Sequence, residues 1–242
     1  MAGKTVCIIQ ARMGSTRLPG KVLKPLLGKP MLWWVVQRVR KARYLDEVVV
    51  ATTALDRDDT LADFCREQDI PCYRGSEDDV LDRYYQAARK FHATHIVRIT
   101  SDCPLIDPGV IDCVAAAFFS AGPRVDYASN ITTRTYPRGL DTEVFSNAVL
   151  AQAWREDQSA WREHVTPYIH QQPEKFRLLE VSNRVDFSRF RWTVDTPEDF
   201  ALIEQIYGAF GNGDFDWQEA LIEMEAHVDW AAINAHIEQK KL

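Results

Sequence analysis

Apolar positions along this chain alternate between two rhythms. Short stretches rich in apolar residues fall at 5–9, 47–52, 70–73 and 95–100, a length that suits buried strands better than helices. Between them apolar residues return at helical spacing. Met31, Trp34, Val35, Arg38 and Val39 share one stripe, and the same period predicts helices over 30–41, 58–68, up to Phe91, and 108–121. Pro30 suits a first helical turn, and Ser76 with Asp79 has the spacing of a capping box before the third helix. Strand and helix therefore alternate four times by residue 121, which predicts an α/β fold with a mostly parallel sheet covered by helices on both faces. Ligands of such sheets gather beyond the carboxyl ends of the strands, so the loops at 10–21, 52–59 and 101–107 are the first places to look for chemistry.

After residue 121 the rhythm changes. Residues 21–27 and 142–145 read as short extended pieces, and strands are expected at 125–130, 177–181 and 191–194. A Thr, Arg and Pro-rich loop fills 131–140. Helices are expected at 147–154, 159–171 and from Thr196-Pro197 to 210. Gly211-Asn212-Gly213 breaks the chain before helical segments at 216–236. The pattern suggests one domain over 1–210, with a mixed subregion at 125–195 and a helical extension at 211–242.

Composition sharpens this only in places. A chain of 242 residues, 46% of them hydrophobic, can bury one substantial core. The net charge of −6 conceals an asymmetry: residues 1–45 hold ten Lys or Arg and no Asp or Glu. A basic start on an acidic body argues against nucleic-acid binding, which wants a broad basic face, and for a local pocket that takes a small anion. Arg38, Arg40, Lys41 and Arg43 also read as the solvated end of a helix, where cations suit the dipole. The five cysteines are scattered without C-x-x-C spacing, which suits reduced thiols in a cytoplasmic protein. The first strand begins too early to leave room for a signal peptide, and no apolar run approaches the roughly 18 residues of a membrane span.

The stretch Ile-Ile-Gln-Ala-Arg-Met-Gly-Ser-Thr-Arg-Leu-Pro-Gly-Lys-Val at 8–22 carries the clearest chemistry. It leaves the first strand and becomes a loop with Gly14 and Gly20 for sharp turns, Ser15 and Thr16 as donors, Arg12, Arg17 and Lys21 as cations, and no acid. That composition suits closely spaced phosphates. It is neither the G-x-G-x-x-G nor the Walker pattern. Two carboxylates, Asp102 and Asp195, follow apolar runs. Hard oxygen ligands at strand ends suit Mg²⁺, although a turn residue and a helix cap are equally ordinary roles for them.

Taken together, these residues resemble the cytidylyltransferases that activate acidic sugars, of acylneuraminate and KDO type, and most of all their SpsF-like branch. The resemblance continues through Val-Val-Ala-Thr-Thr at 49–53, Arg-Gly-Ser-Glu-Asp-Asp-Val-Leu-Asp-Arg-Tyr at 74–84 and Arg-Ile-Thr-Ser-Asp-Cys-Pro-Leu-Ile-Asp at 98–107. It extends to Arg-Gly-Leu-Asp-Thr-Glu-Val-Phe at 138–145, Arg-Glu-His-Val-Thr-Pro-Tyr at 162–168 and Trp-Thr-Val-Asp-Thr-Pro-Glu-Asp at 192–199. It implies a Rossmann-like, GT-A-type fold, with a nucleotide-binding half at 1–124 and an acceptor side at 125–195. The implied reaction joins CTP to a small acidic sugar and releases pyrophosphate, in a homodimer. By matching position, Arg12 and Lys21 would hold the triphosphate, with Ala11, Gly14, Ser15 and Arg17 completing the loop. Thr52, Arg74 and Ser76 would lie near base and ribose. Asp102 and Asp195 would hold Mg²⁺, leaving Arg12, Lys21 and Asp102 as the catalytic set.

The acceptor side departs from the sialic-acid and KDO pattern at 133–145. There Arg134 and Arg138 can clamp a carboxylate or phosphate, and Asp141 and Glu143 can meet sugar hydroxyls; both arginines can equally pair with neighbouring acids. His164 can touch substrate or serve as a hydrogen-bonded core residue. Two other readings stay open. A glycosyltransferase of the same fold would show Asp-x-Asp after the central strand, where this chain has Ser101-Asp102-Cys103, and would not need the phosphate loop. A nucleotidyltransferase acting on a non-sugar acceptor is the other.

Overall fold

The computed structural model describes residues 3–239. Its centre is β1 (Thr5–Gln10), buried along nearly its whole length. Side chains alternate across a strand, and β1 accordingly feeds two cores. Cys7 and Ile9 pack with Val36, Leu61, Val97 and Val114 on one face, while Val6 and Ile8 pack with Tyr84, Ala87, Leu150 and Ile169 on the other. Helices α1 (Met31–Val39), α2 (Asp59–Glu67) and α4 (Pro108–Ala121) cover the first face; α3 (Val80–Lys90), α5 (Asn147–Glu156) and α6 (Pro167–His170) cover the second.

Between α1 and α4 lie β4 (Glu47–Thr53), β5 (Cys72–Gly75) and β6 (His95–Thr100); β7 (Tyr127–Ser129), β8 (Glu143–Ser146) and β9 (Leu178–Glu180) complete the main sheet. The order across its seven strands is β5-β4-β1-β6-β8-β7-β9, and β8 alone runs against its neighbours. From β1 the chain goes to β4 and β5 on one side, then returns to β6 on the other. That reversal opens a crevice beyond the carboxyl ends of β1 and β6.

Several local expectations needed correction. Residues 21–27 are not simply extended. Gly20 sits at φ 70 and starts a 3-10 turn over Lys21–Leu23, and β2 (Pro25–Leu26) then pairs with β3 (Lys29–Pro30). Leu27 and Gly28 both have positive φ, the backbone hand that closes a two-residue hairpin. The helix expected over 159–171 is a 3-10 turn, Ala160–His164, followed by the short α6. Val165 at φ 68 and Pro167, which lacks the N–H a continuing helix uses, separate them. Asp79 caps α3 by itself, accepting from the Asp82 N–H at 2.8 Å, while the Ser76 hydroxyl accepts from the Asp79 N–H at 3.0 Å.

The segment 191–194 is no strand of the sheet. It makes a single bridge, Arg138 to Arg191, and is stitched across the sheet end by Trp192 N–H to Arg138 O at 2.7 Å and Val194 N–H to Asp102 O at 2.8 Å. Gly139, at φ 111, lets the two backbones meet: a Cβ there would lie 2.7 Å from the carbonyl carbon of Trp192. Helix α7 (Pro197–Phe210) follows, with a complete capping box from Thr196 and Asp199. A third core joins Leu26, Met31 and Leu105 to Trp192, Phe200 and Ile203, and to residues of α8 (Trp217–Ala226) and α9 (Trp230–Asn234).

Candidate active site

Residues 11–21 form a loop fixed from inside. The N–H groups of Ser15 and Gly20 donate to Met13 O at 2.9 and 3.1 Å, and Leu18 N–H reaches Ser15 Oγ at 3.4 Å. Ala11 is buried and extends the β1–β4 pairing through its N–H to Ala51 O at 3.1 Å. Met13 N–H donates to Asp58 Oδ1 at 2.6 Å, and the fully buried Asp58 carboxylate also takes the Thr53 hydroxyl. Asp58 therefore ties the loop to the end of β4. The guanidinium of Arg57 packs on Gly14, where a Cβ would stand 3.1 Å from its Cζ.

Lys21 points across the crevice. Its ammonium donates to Asp102 Oδ2 at 3.1 Å, Asp195 Oδ1 at 2.9 Å and Val194 O at 2.6 Å. Burial alone would lower the Lys21 pKa, but the charges of Asp102 and Asp195 and their hydrogen bonds outweigh it and raise it. Burial likewise pushes the Asp102 carboxyl up, yet Lys21, with hydrogen bonds that include one from Thr100, brings it below its ordinary value. Both groups are therefore charged at neutral pH.

Asp195 is encircled by cations. Arg17 Nη2 lies 3.0 Å and Arg191 Nη2 2.9 Å from its Oδ2, leaving Oδ1 to face Lys21. Among the described residues, no group of three or more His, Cys, Asp or Glu stands ready to hold a metal. The pair Asp102 and Asp195 still fits Mg²⁺, which takes one or two carboxylates and completes its shell with phosphate and water. That the two carboxylates converge on the Lys21 ammonium is the observation that supports the fit: it is a place built to hold positive charge.

The other expected residues are arranged around this point. Arg12 lies on the same loop, half-exposed, 3.1 Å from Glu163 and 3.6 Å from Glu77; Glu77 also pairs with Arg57. Thr52 and Arg74 are paired in register at the ends of β4 and β5. The Thr52 hydroxyl is fully buried and without a hydrogen-bond partner among the described residues. The Arg74 guanidinium holds the turn after β4 through Thr53 O and Leu55 O, both at 2.9 Å, and pairs with Asp59 at 2.6 Å. Ser76 is exposed just past β5.

On the far side, Arg134 makes a two-pronged pair with Asp141 at 2.6 and 2.8 Å. Arg138 is half-buried, and no carboxylate among the described residues pairs with it. Burial, then the nearby charge of Arg134, lower its pKa; Asp141 opposes them and Arg191 adds a smaller lowering. Glu143 is almost wholly buried. It lies in β8, bonded to Arg98 and to the Tyr127 hydroxyl, and Arg98 in turn reaches Gln10 at 3.0 Å. His164 is half-buried beside Glu163, the acid that reaches Arg12.

Reading the sequence missed Asp58, Arg57 and Arg191. The pattern makes Asp58 the start of a helix and Arg191 a strand residue; the fold shows what they hold, Met13 for Asp58 and the nearby Asp195 and Asp199 for Arg191. The sole local signal was the Arg-Asp pair at 57–58, inside a loop already singled out.

A family model described as Cytidylyltransferase matches residues 6–233. The chain belongs to the cytidylyltransferase family. It is therefore a nucleotidyltransferase with a Rossmann-like sheet. The spore coat polysaccharide biosynthesis protein SpsF of Bacillus subtilis is 38% identical over 214 residues, 84% of this chain and 86% of that protein. A 3-deoxy-manno-octulosonate cytidylyltransferase of Nitratidesulfovibrio vulgaris is 37% identical over 123 residues, 49% of this chain and 47% of that one. The structure of a cytidylyltransferase from Leptospira borgpetersenii superposes with a TM-score of 0.91 at 31% identity, covering 99% of this chain and 100% of that one.

Proposed function

We propose that this cytidylyltransferase joins CTP to a hydroxyl of a small acidic sugar, giving a CMP-sugar and pyrophosphate for a surface polysaccharide or glycan. The observation that carries the reading is the Lys21 ammonium between Asp102 and Asp195, with Arg12 and Arg17 on the same loop. Lys21 and Arg17 both reach Asp195, Arg12 lies on the same loop, and Asp102 and Asp195 would hold a divalent cation beside the phosphates. In the transfer, the acceptor oxygen bonds to the α-phosphorus as the bond to the β-phosphate oxygen breaks. Pyrophosphate leaves with that electron pair, and the hydroxyl proton passes to solvent. Lys21, Arg12 and Arg17 neutralise the charge gathering on the leaving group, the kind of fixed electrostatic help that dominates such reactions. Mg²⁺ held by Asp102 and Asp195 would supply charge neutralisation at the phosphates.

An acidic acceptor is supported by Arg138. Arg134 beside it is satisfied by Asp141, whereas Arg138 is half-buried without such a partner among the described residues. A guanidinium in that state gains most from a carboxylate brought by a ligand. Five free thiols suit a reducing compartment such as the cytoplasm.

The test is release of pyrophosphate from CTP and Mg²⁺ with a panel of nonulosonic and octulosonic acids, set against neutral sugars of similar size. Turnover confined to the acids, and weakened in KM by Arg138→Met, is the expected result. No release with any acid together with turnover of a neutral alcohol would reject the acceptor class; failure to bind CTP would reject the reading itself.

A further inference from the structure

Asp195 is held from behind as well as from the cleft. Arg191, which donates to Asp195 Oδ2, also makes a two-pronged bond to Asp199, from Nε to Oδ1 at 2.8 Å and from Nη2 to Oδ2 at 2.9 Å. Asp199 is nearly fully buried, and its Oδ2 accepts in addition the N–H groups of Asp195 at 2.9 Å and Thr196 at 3.1 Å. Behind it stands Asn234 of α9, also buried. Its Nδ2 donates to Asp199 Oδ1 and to Arg191 O, both at 2.9 Å. On the outer side, the exposed Gln239 accepts from Arg191 Nη1.

Capping α7 does not require this arrangement. The capping box is complete with Thr196 and the Asp199 oxygen that faces it. Asn234 adds nothing to the cap, and the guanidinium bridge to Asp195 adds nothing to it either. What the chain Asn234–Asp199–Arg191–Asp195 does is fix the plane and rotamer of one carboxylate at the mouth of the crevice. A planar guanidinium gripped by one acid on two nitrogens cannot turn, so the acid on its remaining edge is oriented too.

The geometry points to Asn234 and Asp199 as positioning residues that act through Arg191 to aim Asp195 at the divalent cation of the transfer site. The last helix then belongs to the active site's support. This rests on the reading of Asp195 as a metal ligand above. Partners behind metal ligands are commonly worth about 10–100-fold in metal affinity or activity.

Mn²⁺ serves as probe in place of Mg²⁺. Its binding to the full chain with CTP and no acceptor is followed by the paramagnetic resonance of free Mn²⁺. Asn234→Ala is expected to weaken Mn²⁺ about tenfold, while Met224→Ala, which removes third-core packing without touching the chain of bonds, shifts it less than about twofold at a comparable loss of melting temperature. Gln239→Ala is exposed and safe for folding, and should weaken Mn²⁺ in the same direction by about two- to threefold. If Asp195→Asn leaves Mn²⁺ affinity unchanged, the ligand assignment falls and the relay with it. If Asp195→Asn weakens binding but Asn234→Ala behaves like Met224→Ala, the relay alone is wrong. Should Asn234→Ala not fold, an unaltered Mn²⁺ affinity in Gln239→Ala overturns it.

Discussion

Lys21 shows how one side chain serves both fold and chemistry. It is 8% exposed and bonded to two carboxylates and a carbonyl. Truncating it leaves Asp102 without its counter-charge, while Asp195 keeps Arg17 and Arg191 on its other oxygen. Breaking a fully buried pair costs about 3–5 kcal/mol; both carboxylates keep some contact with solvent, so about 1–3 kcal/mol is expected here. Lys21→Ala should lower turnover about 10²–10³-fold and lower the melting temperature in metal-free buffer, and Mg²⁺ should restore the temperature but not the turnover. Calorimetric melting with and without Mg²⁺, beside pyrophosphate release, checks it; unchanged kinetics would remove Lys21 from the reaction. The sign of the pH dependence follows. Asp102 is lowered from 3.8, so its contribution is present above that value and is lost as pH falls through the folded pKa. Lys21 is raised from 10.5, so its contribution is present below that value and is lost as pH rises through the folded pKa. Stability from the Lys21–Asp102 pair should therefore be level from about pH 5 to 9. This loop was legible in the sequence because its chemistry is local: cations, hydroxyls and glycines within one stretch. Asp58 and Asn234 were not, because they act on residues far away in the chain; Arg191 and Asp199 act on near neighbours, but only because the chain turns at Asp195.

At the scale of elements, the sequence pattern succeeded wherever an apolar run or a helical stripe was long and faced one core. It misjudged 191–194 because Arg-Trp-Thr-Val alternates like a strand. The chain there lies across the sheet end, held by the 138 loop and by Asp102. That crossing is what brings Asp195 to Asp102, and it depends on Gly139. With φ 111 and the Trp192 carbonyl carbon 2.7 Å from any Cβ, an added methyl is opposed both by its own backbone and by its neighbour's. Strain of that kind costs about 1–3 kcal/mol before the clash is counted. Gly139→Ala should therefore lower the melting temperature and, in whatever fraction folds, weaken Mn²⁺ binding as the 191–195 backbone is pushed off Asp102. A well-folded Gly139→Ala with native Mn²⁺ affinity would show that the crossing does not set the site. The helix expected over 159–171 failed for a related reason. Val165 and Ile169 do face the core, but Val165 and Pro167 turn the chain so that Glu163 meets Arg12.

At the scale of the molecule, the crevice follows from strand order, and strand order was readable as four alternations of strand and helix. What could not be read was how the C-terminal helices attach. Taken alone, 211–242 looks like an extension that could be removed. In the fold, Trp217, Leu221, Met224 and Trp230 are all nearly buried in the third core, against Trp192, Phe200 and Ile203. Burying a large apolar side chain stabilises by about 1.5–3 kcal/mol, so these four contribute about 6–12 kcal/mol. That is comparable with the whole stability of a typical domain, about 5–15 kcal/mol. A chain ending after Phe210 should accordingly fail to fold cooperatively, and show no resolved melting transition and bind the dye of exposed apolar surface. Single truncations such as Leu221→Ala should cost about 2–5 kcal/mol and still fold. A stable, CTP-binding fragment of 1–210 would mean that the third core closes without its last helices, and that the route from Asn234 to Asp195 is dispensable.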